Sequence, residues 1–486
     1  MLSTLLETAL RSEHRIAVRG DHGVATYGDL LRSASFHAGR LLDHLDVPDL
    51  DGARIAILLE PGPSWVAALW SIWRAGGLAV PLALSHPEPE LEHVLVDAAA
   101  SAVVVERGLG GRVRPLARRL GLPVLTLHDD DPGSVVRPVP EPAAGEWADR
   151  FALLLYTSGT TGKPKGVPLR HRHLESQVRS LSEAWRWRPS DHVVGVLPLH
   201  HVHGIVNVLL SALWNGAECT LHRRFDAERV WRSFETDSPT LFMAVPTVYR
   251  RLIEEWQAKP GPQDHRSRSA SSLRLMVSGS AALPGTTRER WQAITGHSLL
   301  ERYGMTEIGM ALSQPYDGAR LPGTVGGALP GVEVRVEGDD LQVRSPGMFD
   351  GYWRRPDETA EVFTQDGFFR TGDVATSERG CYRLLGRRSV DILKSGGEKI
   401  SALEIEAILR IHETVADAAV VGLDDPEWGQ RVVAFVETHE GSAVEPDALR
   451  HFCRERLAAY KVPKEVEIVE RLPRNALGKV VKGKLG

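Results

Sequence analysis

A stretch rich in glycine and threonine, with two lysines, occupies residues 156–166 and has the composition of an anion-binding loop. Its glycines permit tight turns and a close approach of the backbone to an anion. Successive backbone N–H groups in such a loop form an anion-binding concavity. The spacing is not that of a Walker A loop, which has four residues between its glycines before Lys-Ser/Thr. The residues expected to contact the anion are Thr157, Ser158, Gly159, Thr160, Thr161 and Lys165.

Four further motifs follow the loop along the chain. They are Tyr-Gly-Met-Thr-Glu at 303–307, Phe-Arg-Thr-Gly-Asp at 369–373, Gly-Arg-Arg at 386–388 with Lys-Ser-Gly-Gly at 394–397, and Pro-Arg-Asn-Ala-Leu-Gly-Lys at 473–479. In this order they resemble the motifs of the acyl-adenylate-forming superfamily of acyl-CoA synthetases, luciferases and adenylation domains. The resemblance covers nearly the whole chain. It implies an enzyme that uses ATP and Mg²⁺ to join a carboxylic acid to AMP.

The resemblance assigns nucleotide-binding roles to several of these residues. Glu307 offers the hard oxygen ligand that Mg²⁺ prefers, and Thr161 is the second predicted metal ligand. Thr306 is expected to hydrogen-bond a phosphate oxygen, and Asp373 to accept both ribose hydroxyls. The other residues expected around the nucleotide are Gly279, Ser280, Ala281, Tyr303, Gly304, Met305, Arg387 and Arg388. The resemblance implies that either Arg387 or Arg388 holds the ribose. The stretch from Gly386 to Lys394 is one residue longer than in the family, so the sequence does not decide between the two arginines.

The end of the chain is expected to supply the catalytic lysine. Lys479 would ordinarily be a solvated tail lysine, but the resemblance makes it the group that stabilises charge on the attacking carboxylate and the α-phosphate. After adenylation, coenzyme A would attack the acyl adenylate as co-substrate. The residues expected to line the path of its thiol are Lys394, Ser395, Gly396 and Gly397.

Arg302 and two histidines point to the acid that is activated. A partly buried cation is costly unless it is paired with an anion, and the planar guanidinium suits a carboxylate. The stretches 199–204, 277–284 and 301–307 resemble those of malonyl-CoA synthetases, which implies malonate or methylmalonate. Residues expected at the acid are Ser278, His201, Arg302 and Met310, with His203 as a further donor. The predicted catalytic residues are His201, Thr306, Glu307 and Lys479.

Other interpretations remain open at this point. Arg302 could form a structural salt bridge, since such pairs mimic functional ones. The enzyme could then act on a short monocarboxylic or aromatic acid, or load a carrier protein. His201 and His203 also have the spacing of a metal pair, but no third ligand is evident. A non-catalytic nucleotide-binding protein is disfavoured because the loop, Glu307 and Lys479 are all present.

Composition narrows the possible partners and location. The 486 residues carry a net charge of -5, so a nucleic-acid partner is not expected. Three scattered cysteines fit a reducing compartment rather than a disulfide framework or zinc site. No apolar run approaches the roughly 18 residues of a membrane span. Residues 1–11 are interpreted as an amphipathic helix rather than a signal peptide. A cytoplasmic monomer or weak dimer without a membrane partner is therefore expected.

Alternating apolar strands and helical patterns predict an α/β fold built of βαβ units. Predicted strands lie at 54–59, 78–81, 102–105, 151–156, 192–197, 241–245 and 273–277. From about residue 332 short strands with turns indicate a β subdomain. Loops are predicted at 129–146 and 259–272. The resulting expectation is a large N-terminal domain, 1–385, and a small mobile α+β domain, 386–486, that carries the lysine.

Overall fold

A computed structural model describes residues 1–127, 137–139, 145–157, 164–258, 263–395, 398–475 and 478–485. The strands, in chain order, are β1 (Ile16–Gly20), β2 (Gly23–Thr26), β3 (Arg54–Leu58), β4 (Leu78–Pro81), β5 (Ala102–Glu106), β6 (Val124–Leu127), β7 (Phe151–Thr157), β8 (Lys165–Arg170), β9 (His192–Gly195), β10 (Glu218–Leu221), β11 (Leu241–Ala244), β12 (Leu275–Ser278), β13 (Leu300–Met305), β14 (Gly309–Ser313), β15 (Gly327–Ala328), β16 (Glu333–Glu337), β17 (Asp340–Arg344), β18 (Phe369–Glu378), β19 (Cys381–Arg387), β20 (Ile392–Ser395), β21 (Glu398–Ser401), β22 (Val415–Asp425), β23 (Gly429–Thr438) and β24 (Glu465–Val469).

The helices alternate with these strands through the first 300 residues, so the predicted α/β class is confirmed. They are α1 (Leu2–Arg11), α2 (Tyr27–Leu45), α3 (Pro63–Arg74), α4 (Glu88–Asp97), α5 (Gly110–Arg119), α6 (Glu146–Asp149), α7 (His171–Ala184), α8 (Ser211–Trp214), α9 (Ala227–Thr236), α10 (Pro246–Ala258), α11 (Gln263–Ser271), α12 (Gly285–Thr295), α13 (Pro356–Val362), α14 (Ala402–Leu409) and α15 (Pro446–Arg454). A π-helical stretch covers His203–Leu210, and short 3₁₀ turns cover Arg107–Leu109, Ala459–Lys461 and Lys482–Lys484.

Two large sheets form the body of the protein. One has the strand order β6-β5-β3-β4-β7-β8, and the other β15-β14-β13-β12-β11-β9-β10-β1-β2. Their central strands are parallel, and strands such as β4 and β11 are buried along their whole length. Burial on both faces explains why these strands are continuous apolar runs in the sequence. The parallel strands β9, β11, β12 and β13 bring their carboxyl ends to one edge, where ligands of open α/β sheets bind.

The last third of the chain is mainly β structure. An antiparallel sheet has the order β16-β17-β18-β19, as the predicted β subdomain requires. It is followed by the sheet β21-β20-β23-β22, with β24 paired to β23. This C-terminal sheet packs with α14 and α15 around its own apolar core, which includes Leu393, Ile405, Val420, Ala434 and Leu449.

One predicted loop is wrong. Residues 259–272 contain the helix α11 rather than a continuous loop, although 259–262 lie outside the described residues. The sequence of this segment is polar, but Ala270 is fully buried and Arg266 lies 3.8 Å from Glu235 on α9. Tertiary packing thus overrides a weak local pattern. The other predicted loop, 129–146, lies mostly outside the described residues and ends where α6 begins. No helix among the described ranges is both long and apolar enough to cross a membrane.

Candidate active site

A cleft of about 1440 Å³ lies where the nine-stranded sheet, the β18–β19 hairpin and the C-terminal turn meet. Of the predicted site residues, those that line it are Thr157, Lys165, His201, Ser278, Ser280, Ala281, Arg302, Tyr303, Gly304, Met305, Thr306, Glu307, Met310, Asp373, Arg387, Arg388 and Lys479. Residues separated by more than 300 positions therefore face one space. Lys394 and Ser395 lie on β20 and do not line this cleft.

The structure describes the two ends of the predicted anion-binding loop, which lie next to each other. Thr157 ends β7 and lies opposite Lys165, which begins β8, in an antiparallel pair. Ser158, Gly159, Thr160 and Thr161 lie outside the described residues. Lys165 forms an ion pair with Glu358, and its Nζ lies 5.5 Å from the centre of the Tyr352 ring. Neither Glu358 nor Tyr352 was predicted, because their contact with the loop lysine is made only by the fold.

Asp373 is the centre of a polar cluster on the β18–β19 hairpin. Its Oδ1 accepts from Nε of Arg387 at 3.0 Å, and its Oδ2 accepts from the Tyr303 hydroxyl at 2.5 Å. Asp373 and Arg387 are direct cross-strand partners. Arg388 points to other acids, pairing with Asp339 and lying 3.9 Å from Asp340. Of the two arginines that the sequence left open for the ribose, Arg387 is the one that contacts Asp373.

Glu307 is a buried carboxylate in the turn between β13 and β14. Burial raises the pKa of Glu307, and the Tyr352 hydroxyl donates to its Oε1 at 3.1 Å. The backbone N–H of Phe349 donates to the Glu307 carbonyl at 2.8 Å and fixes the turn. The Glu307 carboxylate accepts from the neutral Tyr352 hydroxyl, and the charge of Arg387 also favours its ionised form. A divalent cation would offset the remaining cost of burying the carboxylate. No cluster of three or more metal-ligating side chains occurs within the described ranges.

Arg302 is buried, and no carboxylate of a described residue pairs with it. It is 3 % exposed, its Nη2 donates to the Ser280 hydroxyl at 3.3 Å, and its Nε has no hydrogen-bond partner. Burial lowers the pKa of Arg302 to about 9, and no carboxylate among the residues that the structure describes offsets this. The salt-bridge alternative therefore finds no support in the described part of the chain. Such a cation fits an anionic ligand.

Gly279 makes the position of Arg302 possible. A Cβ at residue 279 would lie 2.5 Å from Nε of Arg302, so only glycine lets the guanidinium lie against this backbone. The next residue, Ser280, has a φ of +67°, an unfavourable backbone conformation for a side chain other than glycine. Strain of this kind concentrates at ligand sites. Gly279 thus contacts the predicted acid site directly.

His203 extends this cluster. Its Nδ1 lies 3.2 Å from the Ser280 hydroxyl, and its buried Nε2 has no partner among the described residues. Burial lowers the pKa of His203 far below its usual value, so the ring is neutral. His203 begins the π-helical stretch, a distortion that often marks functional sites. The sequence offers no periodicity that distinguishes a π-helix from an α-helix. His201 lines the same cleft and lies against His200, with 4.1 Å between the ring centres and 47° between the ring planes.

Lys479 is exposed to the cleft from a tight C-terminal turn. Its backbone N–H donates to Oδ1 of Asn475 at 3.0 Å, and its carbonyl accepts from the N–H of Asn475 at 2.9 Å. Gly478 has a φ of +76° and packs close to Thr247 at the start of α10. The turn therefore touches the body of the protein beside the carboxyl end of β11.

Buried histidines give the stability of the fold a pH dependence. Burial lowers the pKa of five of them to values between about 2 and about 4: His171, His173, His200, His201 and His222. Each binds a proton below pH ~6.5 only when unfolded, which costs ~1.4 kcal/mol of stability per pH unit per histidine. We expect the thermal unfolding midpoint to be flat from pH 8 to 6.5 and to fall steeply below pH 6.5.

Two variants check the origin of this slope. His222→Gln should make the fall shallower, because it removes one buried titrating ring. His14→Gln, at an exposed position, should leave the profile unchanged. A midpoint that stays constant down to pH 5 would contradict this account.

Two protein-family models match this chain. The model for the AMP-binding enzyme matches residues 5–353, and that for the AMP-binding enzyme C-terminal domain matches residues 404–479. The chain belongs to the AMP-binding enzyme family. Its α/β architecture, with a large N-terminal part and a smaller C-terminal part, is that of the acyl-CoA synthetases in this family.

One relative and two solved structures show which members of the family this chain is similar to. A mitochondrial malonate–CoA ligase of Mus musculus is 44% identical, with 98% of this chain and 89% of that protein covered. The crystal structure of ATP-bound MatB from Rhodopseudomonas palustris is similar with a TM-score of 0.88, at 32% identity, covering 100% of this chain and 98% of that one. A malonyl-CoA ligase ternary product complex with methylmalonyl-CoA and AMP is similar with a TM-score of 0.67, at 37% identity, covering 95% and 97%.

Proposed function

We propose that this protein is an ATP-dependent ligase that activates a small dicarboxylate, malonate or methylmalonate, as the acyl adenylate and transfers it to coenzyme A. The observation that carries the proposal is Arg302, a buried guanidinium in the cleft with no anionic partner among the described residues. A dicarboxylate has one carboxylate to activate and a second for this arginine to bind. The relatives named as malonate–CoA and malonyl-CoA ligases support the same substrate class.

The Arg302 cluster would bind the carboxylate that does not react. The guanidinium is planar and offers paired donors to a carboxylate. Because the Ser280 hydroxyl accepts from Arg302, its own hydrogen is available to Nδ1 of His203. The neutral imidazole then carries its proton on Nε2 and can donate to the same carboxylate. His201, Ser278 and Met310 would complete the pocket, as the sequence predicted.

The first half-reaction joins the other carboxylate to the α-phosphorus of ATP. The new bond is C(O)O–P, the α–β phosphoanhydride breaks, and pyrophosphate leaves. Catalysis of this kind depends on positioning and charge stabilisation, which Lys479, Lys165 and the loop would supply. Asp373 would accept the ribose hydroxyls beside Arg387, and Tyr303 would lie against the adenine. Glu307 and Thr161 would hold Mg²⁺, whose charge would offset that of the phosphates.

The second half-reaction transfers the acyl group to coenzyme A. The thiol sulfur attacks the acyl carbonyl, the C–S bond forms, the C–O bond to AMP breaks, and the thiol proton passes to solvent. We propose that residues 386–486 rotate against residues 1–385 between the steps. Lys394 to Gly397 would then line the thiol path, which agrees with the position of Lys394 and Ser395 outside the present cleft.

The metal assignment predicts a specific defect. Glu307→Gln should raise the Mg²⁺ concentration needed for half-maximal activity by about tenfold or more, since one charged ligand is lost. The measurement is a Mg²⁺ titration of pyrophosphate release. Glu361→Gln, another acid that lines the cleft, is the control. An unaltered titration in Glu307→Gln would remove Glu307 from the metal site.

A panel of acids tests the proposed reaction. Malonate, methylmalonate, acetate and benzoate are offered with ATP and Mg²⁺, with and without coenzyme A, while pyrophosphate and thioester are measured. We expect the two dicarboxylates to react best and thioester to form only with coenzyme A. Preference for acetate or benzoate would favour the monocarboxylate alternative. Adenylate without thioester would favour carrier-protein loading, and no pyrophosphate with any acid would favour a non-catalytic protein.

The remaining partner and location assignments stay predictions. They are a cytoplasmic location, a monomer or weak dimer, and no nucleic-acid or membrane partner.

A further inference from the structure

We infer that Arg474 is a positioning residue for Lys479. It holds the turn that begins at Arg474 and ends at Val480 in the arrangement needed for adenylation. This inference rests on the proposed role of Lys479. Arg474 begins the turn, and its backbone pairs with Val480 on the other side. Its Nη1 donates at 3.0 Å to the carbonyl of Gly478, the residue directly before Lys479. The guanidinium is therefore bonded to the peptide unit that carries the lysine.

The other nitrogen of Arg474 is anchored in the small sheet. Its Nη2 lies 2.5 Å from Oδ2 of Asp417 and 3.6 Å from Oε2 of Glu437. Asp417 is also held by Arg410, whose Nε lies 2.7 Å from Oδ1. Burial alone would raise the pKa of Asp417, but Arg410 and Arg474 outweigh it and keep the carboxylate ionised. The anchor is thus a fixed charge rather than a mobile surface group.

A second anchor follows the lysine in the chain. The Nζ of Lys482 lies 2.6 Å from both Oδ1 of Asp391 and Oε1 of Glu406. Glu406 also accepts from Arg410 at 3.2 Å, so the two anchors belong to one ionic network. Lys479 lies between Arg474 and Lys482, and its own side chain is exposed to the cleft. The flanking residues Arg474 and Lys482 are therefore held by ion pairs, while the Lys479 side chain is exposed to the cleft.

This arrangement predicts that Arg474 affects one half-reaction only. Adenylation requires Lys479 to be placed to within a fraction of an ångström, and small misplacements of catalytic groups cost about 10²-fold in rate. Thioester formation from a preformed adenylate uses the rotated arrangement and does not need the lysine. A merely structural arginine would, on loss, destabilise the small domain and slow both steps.

The test uses the full-length protein and measures the two half-reactions separately. Arg474→Met should slow malonate-dependent ATP–pyrophosphate exchange about 10²-fold, with thioester formation from synthetic malonyl-AMP nearly unchanged. Arg474→Lys can restore the pair with Asp417 but not the simultaneous bond to the Gly478 carbonyl. Arg474→Lys should therefore keep the unfolding midpoint of the unmodified protein and still slow ATP–pyrophosphate exchange roughly tenfold, which is the scale of one missing hydrogen bond.

Controls separate this inference from the proposed function. Arg450→Met removes another part-buried arginine of the same domain, which bonds Asp447 and the Pro463 carbonyl, and should change neither step. Equal losses of both steps in Arg474→Met, or full recovery of exchange in Arg474→Lys, would overturn the positioning role. If Lys479→Ala does not impair exchange, the proposed role of Lys479 itself is wrong. If it does and the Arg474 variants do not, only the positioning role is wrong.

Discussion

Replacing Arg302 by alanine is expected to remove most of the preference for malonate over acetate. Truncating one partner of a buried, hydrogen-bonded charge pair costs about 2–5 kcal/mol, and the free carboxylate of malonate would lose its counter-charge in a buried pocket. Acetate has no second carboxylate, so its reaction should be affected far less. The measurement is the ratio of kcat/KM for malonate to that for acetate, from pyrophosphate release.

Two further variants sharpen this test. Arg302→Lys keeps a charge but not the planar pair of donors, so it should recover only part of the ratio. Arg290→Ala removes an exposed arginine of α12 that lines the same cleft, and it should leave the ratio unchanged. An unchanged ratio in Arg302→Ala would exclude Arg302 from the acid pocket.

Replacing Lys479 by alanine should lower malonate-dependent ATP–pyrophosphate exchange by about 10²–10³-fold, the scale of one lost charge-stabilising donor. The turn that holds it does not depend on its side chain, because the hydrogen bonds that close it use the Lys479 backbone and Asn475. The fold should therefore remain stable. Thioester formation from preformed malonyl-AMP should persist.

Lys484→Ala is the matched control, since Lys484 is another exposed lysine of the same C-terminal segment. It should support both half-reactions at the rate of the unmodified protein. Equal loss of adenylation and thioester formation in Lys479→Ala would contradict the assigned role.

The strands that support the site were predictable because they are buried in parallel sheets. The predicted strands 78–81 and 241–245 are short apolar runs that begin after a glycine and a threonine, and β4 and β11 occur there. Such runs have no alternation, but they are too short for a buried helix, so length and flanking residues identify them as strands. The helix α11 was missed because its polar sequence carries no helical apolar stripe, whereas in the fold it packs against α9 and α12.

The site residues were predictable where a motif carries several of them together. Tyr303 and Glu307 lie in one motif, and both line the cleft. Spacing could not choose between Arg387 and Arg388, because the choice depends on the register of β18 and β19. Tyr352 contacts Glu307 although the two are 45 positions apart in the sequence, and no local sequence pattern predicts such a contact.

A competition between two acids tests the central claim most directly. The protein is given equimolar malonate and acetate with ATP, Mg²⁺ and coenzyme A, and the thioesters are quantified by mass spectrometry. The buried guanidinium of Arg302, which has no anionic partner among the described residues, predicts that malonyl-CoA forms in large excess. Acetyl-CoA as the main product would contradict the assignment of this cleft to a dicarboxylate.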